Sequence, residues 1–153
     1  MITMKFRYFL FFPFLSVIAA MQLRTPDFST PEGAIKALEA AYIRHDIDAA
    51  VAAKDFGEEA RLMLVRINPK SADDPVIVKK TAEVLELSFR KMIAQNGFPD
   101  FASLRCSLAK PQHVSQALAR VTETCVFPDG GKSVQDLTVF NGAAGWRVVV
   151  VPP

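Results

Sequence analysis

The chain contains few side chains that could carry acid–base chemistry in a pocket, and Tyr42 and His45 are two of them. Tyr42 continues the apolar face that Ile35 and Leu38 begin, and His45 follows three residues later. Both side chains could therefore reach the mouth of a pocket, where burial would tune their pKa values for acid–base work. The structural alternative makes Tyr42 a core residue with its hydroxyl at the rim, and His45 the polar end of a helix.

Glu123 is the third pocket candidate, because its neighbours at strand spacing are otherwise apolar. Val121, Cys125 and Phe127 have the same parity, so in a strand they share a face with Glu123. An inward carboxylate costs free energy unless it finds a partner. The alternative is that this face is partly exposed at the edge of a sheet.

The surroundings of Glu123 depend on the register of the hairpin that turns at 128–131. A symmetric turn would place Glu123 opposite Asp136, and such a like-charge pair would require one acid to be protonated. A glycine bulge would instead place Glu123 opposite Leu137. We favour the bulged register, because it sets the apolar residues of the two strands opposite each other and leaves no acidic pair.

Motifs for several other chemistries are missing from the sequence. It contains no G-x-G-x-x-G, G-x-x-x-x-G-K-[ST], H-E-x-x-H, C-x-x-C or G-x-S-x-G pattern. His45 and His113 are the two histidines, and only Asp46 and Asp48 lie near one of them in sequence. We therefore predict no catalytic residues, no metal site and no cofactor.

Cys106 and Cys125 are the two cysteines of the chain, and we predict that they form a disulfide. They lie in two predicted strands joined by a turn at 115–116, which places them directly opposite each other. Opposite residues in hydrogen-bonded antiparallel pairs have Cα atoms about 5.5 Å apart, a distance that a disulfide tolerates. A reactive thiol and a metal ligand are the rival interpretations.

The first 20 residues have the order of a secretory signal peptide. Lys5 and Arg7 precede the apolar run 9–20, which is too short for the roughly 20 residues that cross a membrane. Small residues at its end predict cleavage after Ala19 or Ala20. We therefore expect a periplasmic or secreted protein without a stable membrane anchor.

The predicted signal peptide also contains the whole excess of positive charge. The chain has 18 Lys and Arg against 16 Asp and Glu, and the first 20 residues contain two basic and no acidic residues. The remainder is neutral, which argues against nucleic acid as a partner. We expect a signal peptide at 1–20, a linker at 21–29 and a single domain at 30–153.

Helical periodicity begins after the linker. A helix is expected over 31–44, because Thr30 can cap it and Pro31 can open it. Asp46 can cap a second, Ala-rich helix, and Gly57 is expected to break that helix before a third helical segment.

A further helix is predicted from Pro75 to the stop at 96–97, with Asp74 as its cap. A polar loop, KSADD, precedes it. Apolar residues recur along this helix every three or four positions, so we expect one face to pack on the sheet. The residues of this face are Val78, Ala82, Leu85, Phe89 and Met92.

Strand periodicity with regular turns follows the helices and predicts an antiparallel meander. Helices that precede such a sheet indicate an α+β domain in which the helices cover one face. The predicted strands are 103–111, 117–127, 133–140 and 146–151.

Two segments resemble the nuclear-transport-factor-2-like (cystatin-like) superfamily. TPEGAIKALEAAYIRHDIDAAVAAKDF is similar to its opening, in which a Pro-initiated helix and a polar break precede a short helix. FPDGGKSVQDLTVFNGAAGWRVVVV is similar to its last two strands. The resemblance covers most of 30–152 and implies a cone, in which a curved antiparallel β-meander wraps the amino-terminal helices and leaves a pocket.

The resemblance implies several functions, because such cones serve as isomerases, ligand binders, assembly modules and exported immunity proteins. We expect a non-enzymatic exported binding protein whose partner is another protein, most concretely a toxin that it neutralises. A carrier of a small apolar ligand and an isomerase or lyase using Tyr42, His45 or Glu123 are the alternatives. Cones of this kind also often form homodimers.

Overall fold

The computed structural model describes residues 25–150, and this range contains five helices followed by five strands. The predicted signal peptide and its cleavage sites lie outside the described residues. No helix within 25–150 combines the length and apolarity needed to span a membrane. The helices are α1 (Pro31–Ile43), α2 (Ile47–Ala52), α3 (Phe56–Ile67), α4 (Pro69–Ala72) and α5 (Pro75–Asn96), and the strands are β1 (Arg105–Leu108), β2 (Gln112–His113), β3 (Leu118–Val126), β4 (Lys132–Gly142) and β5 (Gly145–Val149).

Side-chain caps fix where the helices begin. Thr30 accepts a hydrogen bond from the Gly33 N–H at 3.0 Å, and Pro31 occupies the first turn of α1. Asp55 caps α3 through the Glu58 N–H at 2.9 Å. The expected break at Gly57 is therefore wrong: the cap lies two residues earlier and Gly57 is inside α3.

The strands form one antiparallel sheet with the order β1-β3-β4-β5, and β2 pairs with the same edge of β3 as β1. The sheet is strongly curled, and α1 packs on β3, β4 and β5. The predicted α+β class, with helices before an antiparallel meander, is confirmed. The core between α1 and the sheet contains Ala34, Ile35, Ala119, Val121, Val139, Trp146 and Val148.

The first predicted strand is interrupted. Between β1 and β2 the register against β3 shifts by one residue, so that Cys106 faces Cys125 whereas His113 faces Ala119. Pro111 lies in the interruption and has no N–H to donate to the ladder. The turn at 115–117 is consequently one residue longer than the predicted one.

The register between β3 and β4 differs from both predicted alternatives. Glu123 faces Gln135, rather than Leu137 or Asp136. The Phe127 N–H donates to the carbonyl of Gly131 at 2.8 Å, which closes a loop of three residues. Gly130 adopts φ +86° in this loop, a conformation that glycine tolerates without steric cost.

Helix α5 packs mainly on α3, so the predicted packing on the sheet is wrong. Val78, Leu85 and Phe89 are half-buried, Ile93 is buried, and Met92 is exposed. Helix α3 lies between α5 and the sheet, so the apolar face of α5 packs on another helix rather than on the strands.

The segment before α1 is attached to β5. The Trp146 N–H donates to the carbonyl of Phe28 at 2.8 Å, and the Arg147 guanidinium lies 3.5 Å from the centre of the Phe28 ring. Gly145 makes this approach possible, because a Cβ there would lie 2.5 Å from the Phe28 carbonyl oxygen and φ is +90°.

We predict that Gly145→Ala destabilises the protein much more than Gly130→Ala. Both glycines have positive φ, but only a side chain at Gly145 would meet backbone atoms. We expect a loss of about 1 kcal/mol for Gly130→Ala from its conformation alone, and about 3 kcal/mol for Gly145→Ala from conformation and overlap together. Urea unfolding of both variants measures the difference, and equal losses would contradict the close approach to Phe28.

Candidate functional site

A disulfide joins Cys106 of β1 to Cys125 of β3, as predicted, with an S–S distance of 2.03 Å. The Cα atoms are 4.0 Å apart, closer than the hydrogen-bonded spacing that we expected. The Ala109 N–H donates to the carbonyl of Thr122, and hydrogen-bonded pairs alternate along the ladder, so the two cysteines form a non-hydrogen-bonded, closer pair. The disulfide indicates an oxidising, extracytoplasmic compartment.

Glu123 lies on the inner face of the sheet and is only 1% exposed. The partner across the ladder is Gln135, whose Nε2 donates to Oε2 of Glu123 at 2.5 Å. Asp136, which one predicted register placed opposite Glu123, points to the other face and accepts a hydrogen bond from the Thr122 hydroxyl at 2.7 Å. Glu123 is thus an inward acid with an amide partner.

A second carboxyl group, from Glu39 of α1, meets Glu123 in the interior. Burial raises the pKa of Glu39 to about 8, with further contributions from a hydrogen bond to Glu123 and from its negative charge; nearby Lys36 opposes the shift. Oε1 of each glutamate is buried and has no other hydrogen-bond partner. The raised pKa keeps a proton on Glu39 at neutral pH, and this carboxyl group can donate it in a hydrogen bond to Glu123.

Sequence reasoning missed both Glu39 and its pairing with Glu123. Glu39 lies four residues after Ile35 and three before Tyr42, so an acid on the inward face of α1 was visible in the helical spacing. Its partner was not, since the orientation of α1 over β3 is set by contacts far apart in sequence. The protein therefore contains an acidic pair, but the second acid is Glu39 of α1 rather than Asp136 of β4.

Tyr42 and His45 share an aromatic neighbour at the end of α1. The Tyr42 ring lies 6.2 Å from Phe98 and 5.6 Å from Phe101, and His45 stacks on Phe98 at 5.2 Å. Burial, together with the charge of Glu59, raises the pKa of Tyr42 to about 12, so its hydroxyl remains protonated. His45 is exposed and adopts φ 54° at the helix end. The structure thus places these two side chains in an aromatic cluster, while Glu123 is paired with Glu39.

A buried ion pair joins the helices to the end of the sheet. The Lys54 ammonium lies 2.6 Å from Oε1 of Glu59, and the same oxygen accepts from the Val150 N–H at 2.8 Å. The ammonium also lies 5.2 Å and 5.5 Å from the centres of the Phe56 and Phe89 rings. Because Glu59 belongs to α3 and binds the backbone directly after β5, this ion pair positions α3 against β5.

A groove of about 600 Å³ lies between residues 25–27 and α1. Gly33 and Ala37 form its floor, and Lys36 and Arg44 contribute cations to its lining. None of the three predicted pocket residues lines this groove.

The outer face of α5 is the other candidate site. We call six exposed residues on this face the α5 outer stripe; apart from the adjacent Glu83 and Val84, they follow one another every three or four positions. The stripe consists of Val76, Lys80, Glu83, Val84, Leu87 and Lys91.

We predict that the proton on Glu39 makes stability depend on pH. In the unfolded chain Glu39 ionises near its ordinary pKa of 4.5, whereas in the folded protein it retains its proton up to about pH 8. The folded state thus binds more protons between these values, and the free energy of unfolding falls as pH rises through this range. After allowance for the partial exposure of Glu39, we expect a loss of about 2 kcal/mol.

Urea unfolding at pH 5.5 and pH 8.5 measures this loss. Glu39→Gln should largely remove it, whereas Asp136→Asn, which changes an exposed acid on the same sheet, should leave it in place. An equal pH dependence in wild type and Glu39→Gln would contradict the retained proton.

No family profile matches the chain, and no curated protein does. Two solved structures are similar to it. One is a Campylobacter jejuni protein whose description proposes an NTF2-like transpeptidase, with 13% identity, a TM-score of 0.40, and coverage of 80% of this chain and 99% of that one. The other is an NTF2-like protein of unknown function from Shewanella oneidensis, with 16% identity, a TM-score of 0.44, and coverage of 76% and 88%. Both of these proteins are described as NTF2-like.

Proposed function

We propose that the protein is an extracytoplasmic binding protein that holds another protein on the α5 outer stripe. The observation that carries this proposal is the exposure of three large apolar side chains on one helix face. Val76 is 59% exposed, Val84 61% and Leu87 67%. Apolar side chains gathered on one exposed surface are typical of interaction sites.

The residue pattern of α5 indicates a second apolar face, which a partner protein would bury. A surface helix usually has one apolar face towards its core and a polar face towards water. The inner face of α5, with Leu85 and Phe89, already packs on α3. The α5 outer stripe adds apolar residues on the opposite side, where packing on its own chain does not require them.

The charges of the α5 outer stripe indicate the chemistry of the partner. Lys80 and Lys91 flank the apolar side chains, Lys79 lies beside them, and Glu83 is the one acid of the stripe. Arg90 is held elsewhere, by Glu86 and Asp48, at 2.8 Å each. We therefore propose a partner that inserts an apolar anchor and surrounds it with acidic groups.

The alternatives derived from the sequence have weaker support. A small apolar ligand in the cone would meet the polar side chains of Glu39, Glu123 and Gln135, which do not suit an apolar surface. An isomerase or lyase would need its acid and base at one reacting atom, but Tyr42 and His45 lie against Phe98 instead.

A toxin is the specific partner that we propose within this class. The support is the predicted export, the disulfide and the resemblance to cone-fold immunity proteins. Deletion of the chain should then sensitise cells to their unmodified siblings, and wild type but not Leu87→Asp should restore protection. Full protection without the protein would exclude the toxin while leaving the α5 outer stripe as a docking surface.

We predict that a photo-crosslinking amino acid at Leu87 captures one acidic protein in intact cells. Val134 is the matched control, because it is 66% exposed and apolar but lies on β4, far along the chain from α5. We expect a discrete adduct from position 87 and none from position 134. Lys80→Glu combined with Lys91→Glu should reduce the adduct about tenfold, because it reverses the charge around the anchor.

Three results would contradict the proposal. The first is that positions 87 and 134 give the same adducts, which would indicate random encounters. A second is an adduct of two copies of the chain, which would assign the stripe to a homodimer. The third is the absence of any discrete adduct from position 87 at native expression.

A further inference from the structure

We propose that the Cys106–Cys125 disulfide is a redox site, which a protein dithiol reduces and to which the Glu39–Glu123 pair delivers a proton. This site lies on the inner face of the sheet and is independent of the α5 outer stripe. The reductant that we propose is a protein dithiol of the extracytoplasmic space.

The acid and the disulfide adjoin each other. Glu123 and Cys125 are two residues apart on β3 and point to the same face, while Cys106 lies opposite Cys125 on β1. A carboxylate oxygen of Glu123 and the two sulfur atoms lie within 4.8 Å of one another. A purely structural disulfide does not require a buried acid at its side.

The two sulfur atoms differ in access. Cys106 is half-buried on the edge strand β1, whereas Cys125 is 5% exposed on β3, between β1 and β4. An incoming thiolate therefore meets Cys106 first. This direction of attack makes the buried sulfur of Cys125 the leaving group.

The reaction balances with one dithiol. Its thiolate forms a bond to Sγ of Cys106, the S–S bond breaks, and its electron pair remains on Sγ of Cys125. The second thiol of the reductant, as thiolate, then attacks the mixed disulfide and releases the Cys106 sulfur, which takes a proton from water. The protein gains two electrons and two protons, and the reductant becomes a disulfide.

The buried Cys125 thiolate needs a proton at once, since it forms in a dry environment beside a carboxylate. The carboxyl pair holds one proton there at neutral pH, because the pKa of Glu39 is raised to about 8. Lys36 of α1 is a cation that acts on Glu39, and the residues that β1 and β4 place opposite Glu123 are uncharged: Leu108 and Gln135. The pair thus acts as a general acid and regains its proton from solvent.

A neutral water-soluble phosphine is a suitable probe, because its attack does not depend on the charge of the carboxyl pair whereas the leaving thiolate still needs its proton. We expect the rate of reduction, corrected for the unprotonated fraction of the phosphine, to be constant below pH 8. It should fall about tenfold for each pH unit above that value, as the pair loses its proton. The free thiols that reduction produces are trapped with an alkylating agent, and mass spectrometry of the alkylated protein over time gives the rate.

Two variants complete the experiment. Glu39→Gln keeps a hydrogen-bond donor beside Glu123 but has no proton to transfer, so its rate at pH 7 should fall at least about tenfold and no longer depend on pH. Asp136→Asn should match wild type. A flat corrected profile in wild type would overturn the proposal, as would equal rates in wild type and Glu39→Gln; the wild-type profile decides alone if Glu39→Gln does not fold.

Discussion

The buried carboxylate of Glu123 constrains the rest of the inner face. An ionised acid on an apolar sheet face needs hydrogen bonds and a means of limiting its charge. The β3–β4 register supplies Gln135, and α1 supplies Glu39 with its proton. Both partners depend on long-range features, namely the three-residue turn before β4 and the position of α1 across the sheet. A shift of either element would leave a buried charge without compensation.

Local sequence features were sufficient to predict the framework. Thr30 and Pro31 define the start of α1, and two opposed cysteines define the disulfide, because each depends on neighbours or on a single pairing. The register at Glu123 was not predictable in this way. The same residues between β3 and β4 could form the observed three-residue turn, with Gly130 at positive φ, or either of the two turns considered from the sequence. Glu39 was missed for the same reason: its partner is 84 residues away, at Glu123.

The fold separates two surfaces that could act independently. The inner face combines the disulfide with the acidic pair, while the outer stripe of α5 presents apolar and basic side chains to solvent. The buried pair of Lys54 and Glu59 fixes α3 between them, against both β5 and Phe89 of α5. The sequence-based interpretation gave α5 a single apolar face and therefore did not predict the second surface. The spacing of Val84 and Leu87, three residues apart, places both on one side of the helix.

Glu39 keeps its proton beside Glu123 at neutral pH, and a carbon-13 NMR titration of the glutamate side-chain carboxyl carbons tests this most directly. Assignment can use Glu39→Gln and Glu123→Gln, whose spectra each lack one resonance. We expect the Glu39 carboxyl carbon to titrate with a midpoint of about 8, and we expect this midpoint to fall when Glu123 is replaced by glutamine. A midpoint near the ordinary value of 4.5 for Glu39 would contradict it.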